Sequence, residues 1–289
     1  MSKKGLKTPL RYPGGKSRAC TKMGQYFPDL REYVEFREPF LGGGSVAIHV
    51  SKLYPHLKIV VNDLYEPLIN FWVNLQTFGD ELTKELKGLK ITNCNQDSAR
   101  CLFAEMKDVI NDSTKTDLER AVAFYVVNKC SFSGLTESSS FSAQASDSNF
   151  SMRGIEKLPE YADIISHWHI NSYSYEYCFQ NNIHDGLFMY LDPPYDIKDN
   201  LYGKKGAMHK GFNHDQFAED CSKSSVNQLV SYNSDQLVKD RFKGWNAGEF
   251  NLTYTMRSVG EYMKDQQTRK ELLLFNYEKT VANLEVCTG

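Results

Sequence analysis

No run of about 18 apolar residues occurs in the chain, which excludes a helix that spans a bilayer. The opening Met-Ser-Lys-Lys-Gly-Leu-Lys has no apolar stretch behind it, so no secretory signal is read and a cytoplasmic location is expected. No Cys-x-x-Cys pair is present either. The seven cysteines, Cys20, Cys94, Cys101, Cys130, Cys178, Cys221 and Cys287, are an odd number without zinc spacing, so reduced thiols acting as small buried hydrophobes are expected. An excess of positive charge is missing as well. The formal net charge is -2 and the pI about 6.4, whereas a uniformly basic nucleic-acid-binding domain exceeds pI ~9. Any face for a polyanion must therefore be local. There is no internal repeat.

What is present suits one large α/β domain with an inserted subdomain: 289 residues, 41% of them hydrophobic, are enough for a substantial core. Residues 33–36 and 58–62 read as strands, and Ser45 can cap a helix between them that carries Val46, Ile48, Val50 and Leu53. A strand, tight turn, helix and strand imply parallel strands joined by a right-handed crossover. Residues 64–78 have helical spacing. From 79 to 163 the composition changes to charged helical stretches and then a serine-rich segment that includes Ser138, Ser139, Ser140 and Ser142. Apolar strand patterns return at 187–191, 228–232 and 271–276, each suited to a sheet covered on both faces. The expected fold is a Rossmann-like, doubly wound α/β sheet. Its catalytic domain is discontinuous, residues 1–78 and 164–289, and residues 79–163 form a largely helical insertion.

Two motifs carry chemistry. The first is Glu38-Pro39-Phe40-Leu41-Gly42-Gly43-Gly44-Ser45, between a strand and a helix. Glycines let the backbone turn sharply and approach a ligand, and the helix start offers free N–H groups. Asp63 closes the next strand, 21 positions after Gly42, where a carboxylate can accept hydrogen bonds from both ribose hydroxyls of a nucleoside cofactor. A tight turn followed by a helix-capping aspartate is the plainer reading of that pair.

The second motif is Tyr190-Leu191-Asp192-Pro193-Pro194-Tyr195, at the carboxyl end of an apolar strand. Two prolines remove two N–H donors and stiffen the chain, so the Asp192 carboxylate and the Pro193 carbonyl become paired acceptors at a fixed spacing. That pair suits an aromatic amine, whose lone pair is delocalised into its ring. Holding both N–H groups on fixed acceptors favours a pyramidal nitrogen and frees the pair. Tyr195 offers a flat face for a base, worth ~1–3 kcal/mol and comparable to the cost of unstacking it. A strand-ending turn is the bland alternative. A nicotinamide-dependent reductase would account for the glycines and Asp63, yet leaves Asp192 to Tyr195 idle.

With these motifs in this order, the sequence resembles the Dam-like N6-adenine DNA methyltransferases from about residue 8 to 276. The resemblance implies S-adenosylmethionine as cofactor and double-stranded DNA as partner, with the target adenine flipped out of the duplex. Arg11-Tyr12-Pro13-Gly14-Gly15-Lys16 matches the family's amino-terminal cofactor motif, which implies Tyr12 and Lys16 at the methionine end of the cofactor. Phe40, Gly42 and Gly44 match its cofactor loop and Asp63 its ribose-binding acid, with Asp192 also beside the cofactor. Asp192, Pro193, Pro194 and Tyr195 match its catalytic tetrad. Lys129, Ser131, Phe132 and Ser133 fall where the family begins its DNA-reading hairpin, and the insertion matches its target-recognition subdomain. Ser231-Tyr232-Asn233-Ser234 and Glu271 to Asn276 resemble the two later strands.

One departure stands out. Members that read GATC carry an arginine shortly after the hairpin glycine, whereas here Glu137 and serines occupy that stretch. Glu137 can accept from a cytosine amine, and the serines can bond several base edges or form a loop. Two basic stretches are candidate phosphate contacts: Lys3, Lys4, Lys7, Arg11, Lys16 and Arg18, and then Lys198, Lys204, Lys205 and Lys210, with Lys204 and Lys205 foremost. His167 and His169 share a strand face but lack further ligands, so no metal is expected. Absence of a Pro-Cys nucleophile argues against carbon-5 cytosine methylation. Rival readings are an N4-cytosine methyltransferase, in which serine commonly replaces the aspartate, and a catalytically inactive DNA-binding module. RNA or protein-glutamine methylation fits less well, the latter being marked by Asn-Pro-Pro-Tyr. The residues carry no sign of a restriction endonuclease partner.

Overall fold

The computed structural model describes residues 6–12, 14–134, 136–195, 211–252 and 269–278. Its strands are β1 (Glu35–Glu38), β2 (Lys58–Asn62), β3 (His169–Asn171), β4 (Leu187–Leu191), β5 (Asn227–Asn233), β6 (Asn246–Leu252) and β7 (Arg269–Phe275). They form a seven-stranded sheet in the order β3-β2-β1-β4-β5-β7-β6. β1 to β5 pair parallel with one another, while β7 is antiparallel to both β5 and β6. The order reverses between β1 and β4, which lie side by side. In open α/β sheets such a switch point leaves a crevice at the carboxyl ends of the strands, and that is where ligands bind. Both chemistry-bearing motifs start there.

Alternation along β4 explains its unbroken apolar run. Phe188 and Tyr190 enter one core with Phe36, Ile59 and Val61, whereas Leu187, Met189 and Leu191 enter a second core with Phe217, Val230 and Phe242. Each face of the strand is thus covered, as the period of two requires. The first core also holds the helices Ser45–Leu53 and Glu66–Thr77.

Three expectations need correction. The helix after the glycine run is capped by Gly44, in the left-handed region at φ 65, and Ser45 is its first residue. A glycine takes that conformation without the steric cost a serine would incur. His167, expected to share a strand face with His169, lies in the turn before β3, which starts at His169. Among the cysteines, Cys94 and Cys101 are exposed, unlike Cys20, Cys130, Cys178 and Cys221.

Residues 79–163 are mostly helical, and they share the main core. The helix Asp117–Cys130 is buried along most of its length from Ala121 onward and opposes Glu66–Thr77, where Phe71 packs on Phe124 and Tyr125 with ring centroids 5.8 and 5.9 Å apart. Residue 163 falls inside the helix Leu158–Ile165, so the chain re-enters the sheet only at β3. Among the described residues no helix is long and apolar enough to cross a membrane.

Candidate active site

A cavity of about 430 Å³ opens at the switch point, within the usual range for small-molecule sites. Tyr12, Lys16, Phe40, Gly42, Asp63, Asp192, Pro193, Pro194 and Tyr195 all line it. Residues from four separated stretches of sequence thus meet in one space.

The glycine loop is shaped by what presses on it. Gly42 has φ 48, and a Cβ there would lie 2.8 Å from Cε1 of Tyr12. Gly44 has φ 65, and its Cβ would meet Trp72 at 2.7 Å. Trp72 also donates its Nε1–H to the Gly42 carbonyl at 3.2 Å, and the Thr8 hydroxyl donates to the Gly43 carbonyl at 2.5 Å. Asp63 accepts the Gly42 N–H at 2.9 Å and the Tyr65 N–H at 3.0 Å, so one carboxylate ties the loop to the end of β2. Burial pushes the Asp63 carboxyl up to about 6, against the pull of these backbone donors.

At the other wall, the Lys16 ammonium is buried and donates to Asp192 Oδ1 at 2.8 Å and Oδ2 at 2.9 Å. It also donates to the Tyr195 hydroxyl at 2.7 Å and the Gly14 carbonyl at 3.2 Å, and lies 4.9 Å from the centre of the Tyr195 ring. Ser231 Oγ donates to Asp192 Oδ1 at 2.8 Å and sits 2.9 Å from the Tyr190 hydroxyl. Burial pushes the Asp192 carboxyl above the ordinary carboxylate range; Lys16 pulls it back and the Glu271 charge adds to the rise. Glu38 is fully enclosed, accepts the Ala47 N–H at 2.8 Å and is held well above its ordinary value by burial, with the Asp192 charge adding to the rise.

The cavity also has an aromatic side that sequence reading missed. Phe40 stacks on Tyr175 with centroids 5.6 Å apart, and Phe212 closes edge-on against Phe40 at 5.8 Å. Ser174, Glu176, Asn213 and Gln216 complete the rim. The signal available for Tyr175 was its place a few residues past β3, at the same sheet edge as Asp63. Glu271 was noted only as part of a strand, since it follows Arg269 and Lys270 and its burial shows only in the fold. Among the described residues no group of three or more His, Cys, Asp or Glu side chains is placed to hold a metal.

A profile of the D12 class N6 adenine-specific DNA methyltransferases matches residues 12–257, most of the chain. The chain belongs to that family. Its relatives include a type II methyltransferase of Lactococcus lactis subsp. cremoris, 24% identical over 96% of this chain and 97% of its own length. A type II methyltransferase of Methanocaldococcus jannaschii is 22% identical over 94% of this chain and 99% of its own. A DNA N-6-adenine-methyltransferase of Escherichia phage P1 is 28% identical over 44% of this chain and 15% of its own. The protein is therefore an adenine-specific DNA methyltransferase, and the family implies a methyl donor.

The segment expected to read DNA is stapled to the methyltransferase's amino-terminal motif. The Arg11 N–H donates to Asn128 Oδ1 at 2.9 Å, Asn128 Nδ2 donates to the Arg11 carbonyl at 2.6 Å, and Arg11 Nη1 donates to the Ser131 carbonyl at 2.6 Å. Gly134, at φ 74, lets the Arg11 carbonyl approach to where a Cβ would meet it at 2.7 Å. An isolated bridge between Ser131 and Phe141, with the Phe132 N–H donating to the Ser140 carbonyl at 3.0 Å, closes a short hairpin around Ser133. Within it Phe132 is exposed, whereas Ser131 is fully buried and donates to the Asn128 carbonyl, so its side chain braces the turn. Glu137 accepts from the Tyr65 hydroxyl and from Asn111 Nδ2, which turns its carboxylate toward the protein. Lys129 lies 5.2 Å from the Tyr125 ring centre, and burial pushes its ammonium down to about 7, with Arg11 adding in the same direction. Lys3, Lys4, Lys198, Lys204, Lys205, Lys210 and Cys287 lie outside the described residues.

Proposed function

We propose that the methyl donor is S-adenosylmethionine, held in the cavity at the switch point, and that the acceptor is the N6 amine of an adenine turned out of double-stranded DNA. One observation carries the reading: the glycine loop with Asp63 and the Asp192–Tyr195 tetrad line the same cavity. The residues fit such a donor. Asp63 offers carboxylate oxygens to ribose hydroxyls, the Phe40 and Tyr175 rings offer flat faces to a purine, Tyr12 packs on Gly42 of the glycine loop, and Lys16 is held by Asp192. S-adenosylmethionine, when bound, supplies a methyl group on a sulfonium centre.

This chain's residues are left with alignment and desolvation. Asp192 and the Pro193 carbonyl accept the two amine hydrogens, which favours a pyramidal nitrogen with its lone pair directed at the methyl carbon. Tyr195 stacks on the extruded base, and the apolar walls exclude water. No general base of high pKa is needed before the bond forms, because the amine gains its acidity as the nitrogen is alkylated. Residues 79–163 serve as the target-recognition insertion, with the hairpin from Ser131 to Phe141 presenting Phe132 to DNA. Lys129 gains its charge beside a phosphate, and Lys204 and Lys205 add backbone contacts. Glu137 is assigned to hold the hairpin through Tyr65 rather than to read a base.

Calorimetry with S-adenosylhomocysteine tests the cofactor assignment. Binding of S-adenosylhomocysteine without binding of NADH supports it, and the reverse outcome overturns it.

A further inference from the structure

Glu271 lies in β7 after Arg269 and Lys270 and just ahead of the apolar run Leu272-Leu273-Leu274-Phe275, and its register partners are Asn233 of β5 and Phe250 of β6. It is 1% exposed. Oε1 lies 3.2 Å from Lys16 Nζ and accepts a hydrogen bond from the Tyr195 hydroxyl. The strand does not require this side chain, since β7 is held by its backbone pairing, and burying a carboxylate is unfavourable unless its partners compensate. Lys16 and Tyr195 are members of the motifs assigned to the cofactor and to the target base.

The arrangement poses a problem that Glu271 answers. Lys16 engages both Asp192 oxygens, and the target amine needs that carboxylate as an acceptor. An ammonium in a buried site cannot leave one anion for apolar walls. It can shift toward a second anion already within reach.

We propose that Glu271 is a positioning residue for methyl transfer, receiving the Lys16 ammonium when the target amine takes Asp192 and pinning the Tyr195 ring on which the base stacks. This rests on the reading of the cavity given above. No bond is made or broken in the step; an ion pair is redistributed between two carboxylates. The charged and titratable groups acting on Asp192 are Lys16 from the amino-terminal segment, Glu271 from β7, Glu38 from β1 and Tyr190 from its own strand, with Ser231 of β5 donating to it.

Glu271→Gln keeps an acceptor for Tyr195 and the side-chain volume while removing the charge. With tritium-labelled S-adenosylmethionine and unmethylated genomic DNA, kcat is expected to fall about 10- to 100-fold, the loss of one charged contact. KM values should stay within about twofold, since the contact is made to neither substrate. The acid limb of the kcat profile should move to lower pH, because the Glu271 charge raises the Asp192 carboxyl. A carbon-13 titration of the Asp192 carboxyl in the protein without DNA should move the same way. A merely structural role would lower the melting temperature and reduce kcat equally at all pH, with the limb and the titration unmoved, and that result overturns the proposal. Wild-type kinetics in Glu271→Gln overturn it too, while leaving the reading of the cavity intact. If wild-type protein transfers no methyl group to DNA, that reading fails instead, and the carboxyl titration still decides whether Glu271 acts on Asp192.

Discussion

The Lys16 ammonium lies 2.8 and 2.9 Å from the two carboxylate oxygens of Asp192, 176 positions further along the chain. The amino-terminal motif and the Asp-Pro-Pro-Tyr motif are thereby one electrostatic unit before any ligand arrives. Lys16 opposes the rise that burial imposes on the Asp192 carboxyl, and Asp192 makes a buried ammonium tolerable. The consequences for chemistry and for binding separate.

Asp192→Asn keeps the shape and one acceptor oxygen but loses the charge. Single-turnover methyl transfer should slow by at least about 10²-fold, as when a preorganised polar group is removed from a transition state. Calorimetric affinity for S-adenosylhomocysteine should change far less. Wild-type turnover in this variant contradicts the assigned role.

Tyr195 contributes by its ring and by its hydroxyl, which contacts Lys16 and Glu271. Tyr195→Ala should lose roughly 1–3 kcal/mol of base stacking, seen as weaker fluorescence from 2-aminopurine at the target position. Tyr195→Phe should retain that signal and slow transfer. Equal fluorescence loss in both variants would show that the hydroxyl, not the ring, holds the base.

Asp63 should give cofactor binding a pH dependence of defined sign. Its carboxyl is pushed up to about 6, so it is ionised above that pH and becomes protonated below it. Affinity for S-adenosylhomocysteine should be full above neutrality and fall as pH drops through 6. Asp63→Ala should weaken binding by about 1–3 kcal/mol and abolish the dependence. A pH-independent wild-type affinity between 5 and 8 would rule out the carboxylate as the acceptor.

Gly42→Ala places a methyl group 2.8 Å from the Tyr12 ring on a backbone with φ 48. The conformation alone disfavours an L-residue by roughly 1–2 kcal/mol. The expected result is a lower melting temperature and displaced Tyr12, with weaker binding of S-adenosylhomocysteine. Unchanged melting and affinity would mean that the loop moves freely.

The strands around the switch point were legible because burial on both faces demands apolar residues without a break, as in β4. β6 was not, since its Asn-Ala-Gly-Glu-Phe-Asn-Leu lies at the sheet edge and has one neighbouring strand. β3 is three residues long, too short for a period to show. In the site, Gly42, Asp63 and Asp192 were marked by glycine turns and prolines, which constrain the backbone wherever they occur. Tyr175 and Glu271 carry no such local mark, because their roles follow from tertiary neighbours. The contacts of Glu137 were hidden for the same reason: only the fold brings Tyr65 and Asn111 to it.

The central claim is that Asp192 and Tyr195 present an adenine amine to a methyl donor bound over Asp63. Nucleoside mass spectrometry tests it most directly, using unmethylated genomic DNA incubated with the wild-type protein and S-adenosylmethionine, and in parallel with Asp192→Asn. The account predicts N6-methyladenine with the wild type and little or none with the variant. N4-methylcytosine as the sole product, or equal N6-methyladenine from both proteins, would contradict it.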